Sequence, residues 1–386
     1  MKLEKKRVLL INWVLLDVGG ITTWSHQIVK GFEKIGWQAD HYYATRTGRF
    51  KCSETDFTPI GDKFKRGEKV PSKSLGFKGA WNKEYYVQLL ENYDYVIFVH
   101  PSPHPTKGNL AAEGMSEWKD LYTLCNKPKV VIFHDKKWHK TNEWFIEVHD
   151  YIDVILAAQH NFIESVESYA NLPGKKILTD WLYFPIDTDN CATNYPDIQR
   201  EQRLCMCPQW IKWKNHMMIL ETGNDIKVPI HFYNGGMEYH KLVWTSDWNS
   251  SIRVDWVEDC YVTKENKHEY HGFQSYDVIK SVYKKSLGSI DMTTRTYQNY
   301  THHECSLYGC VLLCTEECRQ GPYNHIFDGE YWPIDVADVT KSINDFIDLP
   351  EKDKEGIRQK AFVRTKENFE CAKIAERINS IAESLP

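Results

Sequence analysis

Short apolar runs alternate along this chain with stretches in which apolar residues return every three or four positions. Residues 7–13 (RVLLINW), 39–44, 93–100 (YDYVIFVH), 129–133 (KVVIF) and 153–158 (DVILAA) have the length and composition of buried parallel strands. After the first of these, Ile21, Trp24, Ile28, Phe32 and Ile35 recur at helical spacing. Thr22 or Thr23 can cap the start of that helix, and Gly36 can close its end. Further helices are expected over 115–125 and about 161–170. A second series follows, with strands at 204–208, 230–234, 288–292 and 311–314. A helix after Ser275 presents Ile279, Val282 and Tyr283 on one face. Phe369, Ala372, Ala375, Ile378 and Ile381 mark a closing amphipathic helix. Two successive strand–helix series predict an α/β protein of two doubly wound Rossmann-like domains.

A length of 386 residues is enough for two such domains, each with its own core. A hydrophobic content of 42% and a charged content of 26% are ordinary for a globular chain and exclude a disordered one. No run approaches the roughly 18 apolar residues of a membrane helix. The charged residues 1–7 pass directly into a strand, so no secretory signal is expected. Eleven cysteines without a small-scaffold framework point to free thiols in a reducing compartment, so a cytoplasmic protein is expected. Cys305, Cys310, Cys314 and Cys318 contain no C-x-x-C pair, which disfavours zinc there.

The net charge of −5 does not by itself suggest nucleic acid, but the charge is uneven. Residues 41–85 hold ten basic against five acidic side chains, among glycines and prolines that read as a long mobile loop. Such a loop is either a solvated linker or a contact for a phosphate backbone. On the second reading Arg46, Arg49, Lys63, Lys65 and Arg66 are the candidate contacts.

In open α/β sheets ligands bind beyond the carboxyl ends of the strands. The stretch 297–314 (YQNYTHHECSLYGCVLLC) puts polar Thr301, His302 and Glu304 ahead of a turn at Gly309 and a buried-type strand. Glu304 near the start of the helix can reach a ligand there; a solvated surface helix is the alternative. His134-Asp135 closes another strand, where the pair can take a proton, hold a hydroxyl or close a turn. Lys136 and Lys137 add positive charge beside it. Gly19-Gly20 follows the first strand and lets the backbone approach a ligand, although G-x-G-x-x-G is absent. Residues 209–214 (QWIKWK) supply Lys212 and Lys214 after the first strand of the second series.

Glu304 with Gly309 and three apolar residues, E-x4-G followed by Val311, Leu312 and Leu313, resembles a segment of the retaining glycosyltransferases of the glycosyltransferase-B fold. Tyr300-Thr301-His302 and His134-Asp135 are most similar to the branch of that family that glucosylates bacteriophage DNA. The resemblance implies two domains facing a cleft, with 1–182 binding the acceptor and 183–365 binding a nucleotide sugar. A C-terminal helix, 366–386, would return to the first domain, and Trp181 to Asp187 resembles the interdomain linker. Glu304 would grip the nucleotide ribose, with Thr301 and His302 beside it. Gly19, Gly20, Gly235 and Gly236 would approach the donor, and Phe273 would lie against the base.

The family clamps the donor diphosphate with an Arg and, five residues later, a Lys. Lys214 matches the Lys, but Gln209 stands at the Arg position, leaving Lys212 or Arg203 to supply that charge. A second family glutamate, eight residues before Glu304, is Thr296 here. Charge-assisted hydrogen bonds to a leaving diphosphate contribute about 1.5–3 kcal/mol each, which is why cations matter at this place. The resemblance implies no required cofactor or metal, with a UDP-sugar, expected to be UDP-glucose, as donor substrate. It further implies retention at the anomeric carbon and His134 and Asp135 as the catalytic pair. The acceptor would be double-stranded DNA carrying a hydroxymethylated base such as 5-hydroxymethylcytosine. A monomer without membrane attachment, working in the cytoplasm of an infected bacterial host, is the matching expectation. A glycosyltransferase acting on a cell-envelope polysaccharide or lipid-linked acceptor is the alternative, and a non-catalytic nucleotide-sugar binder is a second.

Overall fold

The computed structural model describes residues 5–15, 20–46, 72–75, 81–99, 118–133, 146–158, 163–190, 199–208, 215–222, 225–233, 242–244, 251–253, 268–271, 274, 276–293, 300–316 and 329–385. The chain divides into two compact units, one of Met1–Asp187 with Phe369–Pro386 and one of Thr188–Asn368. The sequence-based boundaries at 182/183 and 365/366 fall a few residues before these divisions.

The first unit begins with β1 (Arg7–Leu15), α1 (Gly20–Lys34), β2 (Gln38–Arg46) and β3 (Ser72–Ser74). It continues with α2 (Lys83–Leu90), β4 (Tyr95–Val99), α3 (Asp120–Thr123) and β5 (Lys129–Phe133). Then come β6 (Val154–Ala157), α4 (Ile163–Ala170) and β7 (Leu178–Trp181). The seven strands form one parallel sheet in the order β3-β2-β1-β4-β5-β6-β7. Central β1 is buried on both faces, with Val8, Leu9, Leu10 and Ile11 all within 1% of full burial, as its unbroken apolar run requires. Trp24, Ile28 and Phe32 bury the inner stripe of α1. Gly36 ends this helix at φ +87°, where the Trp37 N–H reaches the Phe32 carbonyl and the Gly36 N–H reaches Glu33.

The second unit contains β8 (Leu204–Met206), α5 (His216–Glu221), β9 (Ile230–Phe232), β10 (Leu242–Trp244) and β11 (Ser251–Arg253). They are followed by β12 (Glu269–Tyr270), α6 (Tyr276–Lys285), β13 (Gly288–Asp291), α7 (Tyr300–Leu307) and β14 (Val311–Thr315). It closes with β15 (Tyr331–Ile334), α8 (Val339–Asp348) and α9 (Glu351–Asn368). Six strands form a parallel sheet in the order β12-β9-β8-β13-β14-β15, and β10 and β11 pair separately as an antiparallel ribbon. Leu204, Met206, Ile230, Phe232, Ile290, Val311 and Leu313 turn one face of that sheet into a core against Ile343 and Phe346 of α8.

The chain returns to the first unit through α10 (Cys371–Glu383), which packs on α1 so closely that Gly31 faces the Cys371 carbonyl. The outgoing and returning segments run side by side. The Ile186 N–H donates to the Phe369 carbonyl at 2.7 Å, and the Cys371 N–H donates to Ile186 at 2.9 Å. Asp187 stands at this crossing, 2.6 Å from Lys30 and 2.7 Å from Lys34, and Lys34 also reaches Glu370 at 2.8 Å.

Several elements depart from the sequence expectation. Residues 178–181, to which the sequence pattern assigns no strand, form edge strand β7, half exposed and therefore free to carry Thr179 and Asp180. Part of the expected loop at 41–85 is ordered: β2 runs through Arg46, Ser72–Ser74 adds a strand and α2 begins at Lys83. Strand β15 contains Pro333, which an edge position accommodates because one side of the strand needs no ladder hydrogen bonds. Helix α9 has no legible apolar stripe, because its buried face is built from Lys354, Arg358, Ala361, Phe362 and Thr365. Of the helix expected over 115–125, the described part is helical at Asp120–Thr123. The seven described cysteines are all free and buried. Among the described residues no helix is long and apolar enough to cross a membrane.

Candidate functional site

The carboxyl ends of β13 and β14 and the helix between them form the best-defined polar site of the second unit. Asp291 ends β13, level with Cys314 of β14 in the parallel register. Its carboxylate accepts two hydrogen bonds, from the Thr293 N–H at 3.0 Å and from His302 Nε2 at 2.8 Å. Both side chains of the Asp291–His302 pair are only 1% exposed. Because the carboxylate can only accept, His302 carries a proton on Nε2 and its ring orientation is set.

Helix α7 is buried almost throughout, including Tyr300, His302, His303, Glu304 and Cys305. A solvated surface helix is thereby excluded. Glu304 itself is 2% exposed, an expensive placement for a carboxylate unless something within the site uses it. Thr301 and Glu304 lie one turn apart on the same side of the helix. The buried hydroxyls of Thr293 and Thr301 have no hydrogen-bond partner among the described residues, which leaves two donor–acceptor groups at this end of the sheet. The helix ends as its sequence predicts: Gly309 takes φ +67°, the Cys310 N–H returns to the Cys305 carbonyl, and β14 begins at Val311.

Three further side chains brace this end of the sheet. Asn215, in a left-handed conformation at φ +50°, donates through Nδ2 to the Met292 carbonyl at 2.8 Å. Thr315 Oγ1 donates to the Thr293 carbonyl at 3.0 Å. His216 Nε2 donates to the Pro208 carbonyl at 3.1 Å, just past the carboxyl end of β8.

Of the residues singled out from sequence, Thr301, His302 and Glu304 are brought together on α7. Gly20 is the first residue of α1, and Arg46 is the last of β2, level with Leu15 in the register. Arg203 does not reach the phosphate position expected of it. It precedes β8 at the amino end of the strand, 3.1 Å from Glu201. Gly19, Arg49, Lys63, Lys65, Arg66, His134, Asp135, Lys136, Lys137, Gln209, Lys212, Lys214, Gly235, Gly236 and Phe273 lie outside the described residues.

Sequence reasoning missed Asp291, Thr293 and Asn215, which frame the site. It also missed Asn12 of β1, whose buried side chain accepts from Ser25 Oγ at 2.9 Å and whose Nδ2 has no hydrogen-bond partner among the described residues. The signal in each case was a polar residue within or just after a short apolar run.

No protein-family model matches the chain, and no curated protein is similar to it by sequence. Solved structures match it over almost its whole length, and they show its fold to be the glycosyltransferase-B fold, with a parallel sheet in each of two α/β domains. One of them is an alpha-glucosyltransferase in complex with UDP-glucose and DNA containing an abasic site. It is 13% identical at TM-score 0.69, with 99% of this chain and 100% of that chain covered. A structure of alpha-glucosyltransferase with UDP is 12% identical at TM-score 0.70, covering 98% and 100%. TarM of S. aureus, in complex with Fondaparinux, alpha-GlcNAc-glycerol and UDP, is 11% identical at TM-score 0.66, again covering 98% and 100%.

Proposed function

We propose that this protein is a UDP-sugar-dependent glycosyltransferase that moves glucose onto a hydroxymethylated base, such as 5-hydroxymethylcytosine, in double-stranded bacteriophage DNA. The observation that carries the donor half is the buried Glu304 on the helix that the Asp291–His302 pair ties to the sheet, at strand ends where this class of sheet binds ligands. In this reading Glu304 accepts hydrogen bonds from the ribose hydroxyls. His302, held by Asp291, and the hydroxyls of Thr293 and Thr301 line the same place. Lys214, the family's phosphate-clamping Lys in this reading, stabilises the departing diphosphate.

In the transfer, the acceptor hydroxyl oxygen bonds to the anomeric carbon as the bond from that carbon to the β-phosphate oxygen breaks. UDP leaves with the electron pair, and retention places both oxygens on the same face of the sugar. Asp135, with His134, takes up the hydroxyl proton. No cofactor is required for this balance, and cationic side chains stabilise the leaving group. The modified base would be flipped out of the duplex, at a cost of about a few kcal/mol. Backbone contacts by Arg46, Arg49, Lys63, Lys65, Arg66, Lys136 and Lys137 would offset that cost. The protein would act as a monomer in the infected host cytoplasm, without a membrane.

The test is transfer from a panel of UDP-sugars to duplex DNA with and without 5-hydroxymethylcytosine, followed by nucleoside mass spectrometry. A hexose mass gain confined to hydroxymethylated DNA is expected, and Asp135→Ala should abolish it. A second reading, transfer to a cell-envelope polysaccharide or lipid-linked acceptor, keeps the same donor site, and the likeness to TarM, solved with alpha-GlcNAc-glycerol and UDP, favours an acceptor other than DNA. It predicts UDP release with glycerol-phosphate polymers and none with DNA. A binder without catalysis would bind UDP and release none from UDP-glucose with either acceptor.

A further inference from the structure

The far edge of the six-stranded sheet carries two imidazoles and a carboxylate whose ligand atoms converge. His231 of β9 and Glu269 of β12 are direct partners in the parallel register. His271 follows Glu269 by two residues and so projects from the same face of the strand. His231 Nδ1 lies 2.8 Å from His271 Nε2 and 3.6 Å from Glu269 Oε2. The third side of the triangle, His271 Nε2 to Glu269 Oε2, is 3.3 Å. A tetrahedral ion with bonds of about 2.0–2.1 Å places neighbouring ligand atoms about 3.3 Å apart. The three separations bracket that value.

The side chains are held in place before any ion arrives. The Tyr233 ring stacks on His271 at 4.7 Å and 9°, and the two imidazoles stack on one another at 4.9 Å and 17°. Among the described residues one cation is close by: Arg203 Nη1 lies 3.4 Å from His231 Nδ1 and must swing away when an ion binds, its Nε staying paired with Glu201 at 3.1 Å. The other acid-rich cluster, Asp187 with Glu370 and Cys371, is more firmly filled, because Lys30 and Lys34 are ion-paired with its carboxylates at 2.6–2.8 Å.

We propose that His231 Nδ1, His271 Nε2 and Glu269 Oε2 bind one divalent transition-metal ion of the Zn2+ class, with the fourth position open to water. The donor set of two imidazoles and one carboxylate suits Zn2+ and excludes the hard cations, which take oxygen ligands. Its work is structural. Strand β12 is only two residues long, and a metal bridging it to β9 clamps the edge of the sheet where hydrogen bonds alone are few. The site is separate from Asp291, His302 and Glu304, and the proposal does not depend on the transfer reaction.

The full-length chain, stripped with chelator, is titrated with Zn2+ by calorimetry, with Co2+ as a visible reporter of ligand type. Expected are saturable Zn2+ binding, a raised melting temperature, and a tetrahedral Co2+ spectrum without a thiolate charge-transfer band. His271→Ala and Glu269→Gln, both at partly exposed positions, should each weaken Zn2+ binding by roughly 100-fold or more. Losing a ligand costs at least as much as losing an outer-shell partner, which is about 10–100-fold. No saturable binding below about 1 mM overturns the proposal. So does binding that both variants retain unchanged, or a Co2+ spectrum dominated by thiolate.

Discussion

His302 Nε2 donates to Asp291 Oδ2 across 2.8 Å with both side chains withdrawn from solvent, and this single bond ties helix α7 to the end of β13. Asp291→Ala leaves a buried imidazole N–H unsatisfied and is expected to cost about 1.5–3 kcal/mol of stability. Asp291→Asn keeps an acceptor but loses the charge, so it should cost less. Urea midpoints of the two variants check the order; an Ala variant as stable as wild type would mean that the pair does not hold the helix.

Glu304 is tested through its ligand. Glu304→Gln keeps the size of the side chain but loses its charge, so UDP affinity is expected to fall roughly 10–100-fold with the melting temperature little changed. Calorimetric titration with UDP, beside thermal melts, reads both quantities. A destabilised variant with unchanged UDP affinity would assign Glu304 to packing.

Asp187 gives the chain crossing a pH signature. Burial alone would raise its pKa, but hydrogen bonds and charge from Lys30 and Lys34 outweigh that and hold it below the usual aspartate value. The folded form thus favours the carboxylate more than the unfolded chain does. The resulting stability is fully present above the unfolded aspartate pKa and is lost as pH falls through the lower folded value. Asp187→Asn should cost about 3 kcal/mol at neutral pH, the low end for removing one partner of a buried pair. Its deficit should shrink on acidification below pH ~4, where wild type loses the same contribution. Denaturant curves at neutral and acid pH make the comparison.

Two glycine-to-alanine changes should differ in sign. A Cβ on Gly31 would meet the Cys371 carbonyl oxygen at 2.2 Å, so Gly31→Ala must push α10 off α1 and should cost about 1–3 kcal/mol. A Cβ on Gly356, within α9, meets nothing within 4 Å. Gly356→Ala should stabilise by about 0.5–1 kcal/mol through helix propensity. Melting both variants side by side tests the α1–α10 contact directly.

If DNA is the acceptor, its binding must be steeply salt-dependent. Each phosphate neutralised contributes about −0.9 to the slope of log K against log salt. Replacing Arg46, Arg49, Lys63, Lys65 and Arg66 with alanine should flatten the slope by about 4. A slope that the quintuple variant leaves unchanged would remove this segment from the interface.

The fold was legible where the core is apolar on both faces of a strand. Lys129–Phe133 and the run from α7 through Gly309 into β14 could be read almost residue by residue, because burial and a left-handed glycine leave direct marks. Legibility failed where polar atoms do the packing. Helix α9 buries Lys354 and Arg358, with Arg358 reaching Glu351 and Lys354 Nζ donating to the Ile347 carbonyl, so its inner face does not look hydrophobic. The same limit hid Asp291. Glu304 and His302 stood out in a distinctive polar run, but the partner of His302 sits in another strand, eleven residues earlier, where a lone acid at the end of a short apolar run is its one mark.

The pairing of Ile186 with Glu370 has a consequence for synthesis on the ribosome. The strands of the first sheet emerge early, yet the helix that covers α1 is made only after the whole of residues 188–368. Residues 188–368 can close on themselves as soon as they appear, because among the described strands none of that span pairs with a strand outside it. The inserted unit is thus positioned to finish first, while the earlier-made unit waits with one flank of α1 uncovered until Cys371–Glu383 arrives.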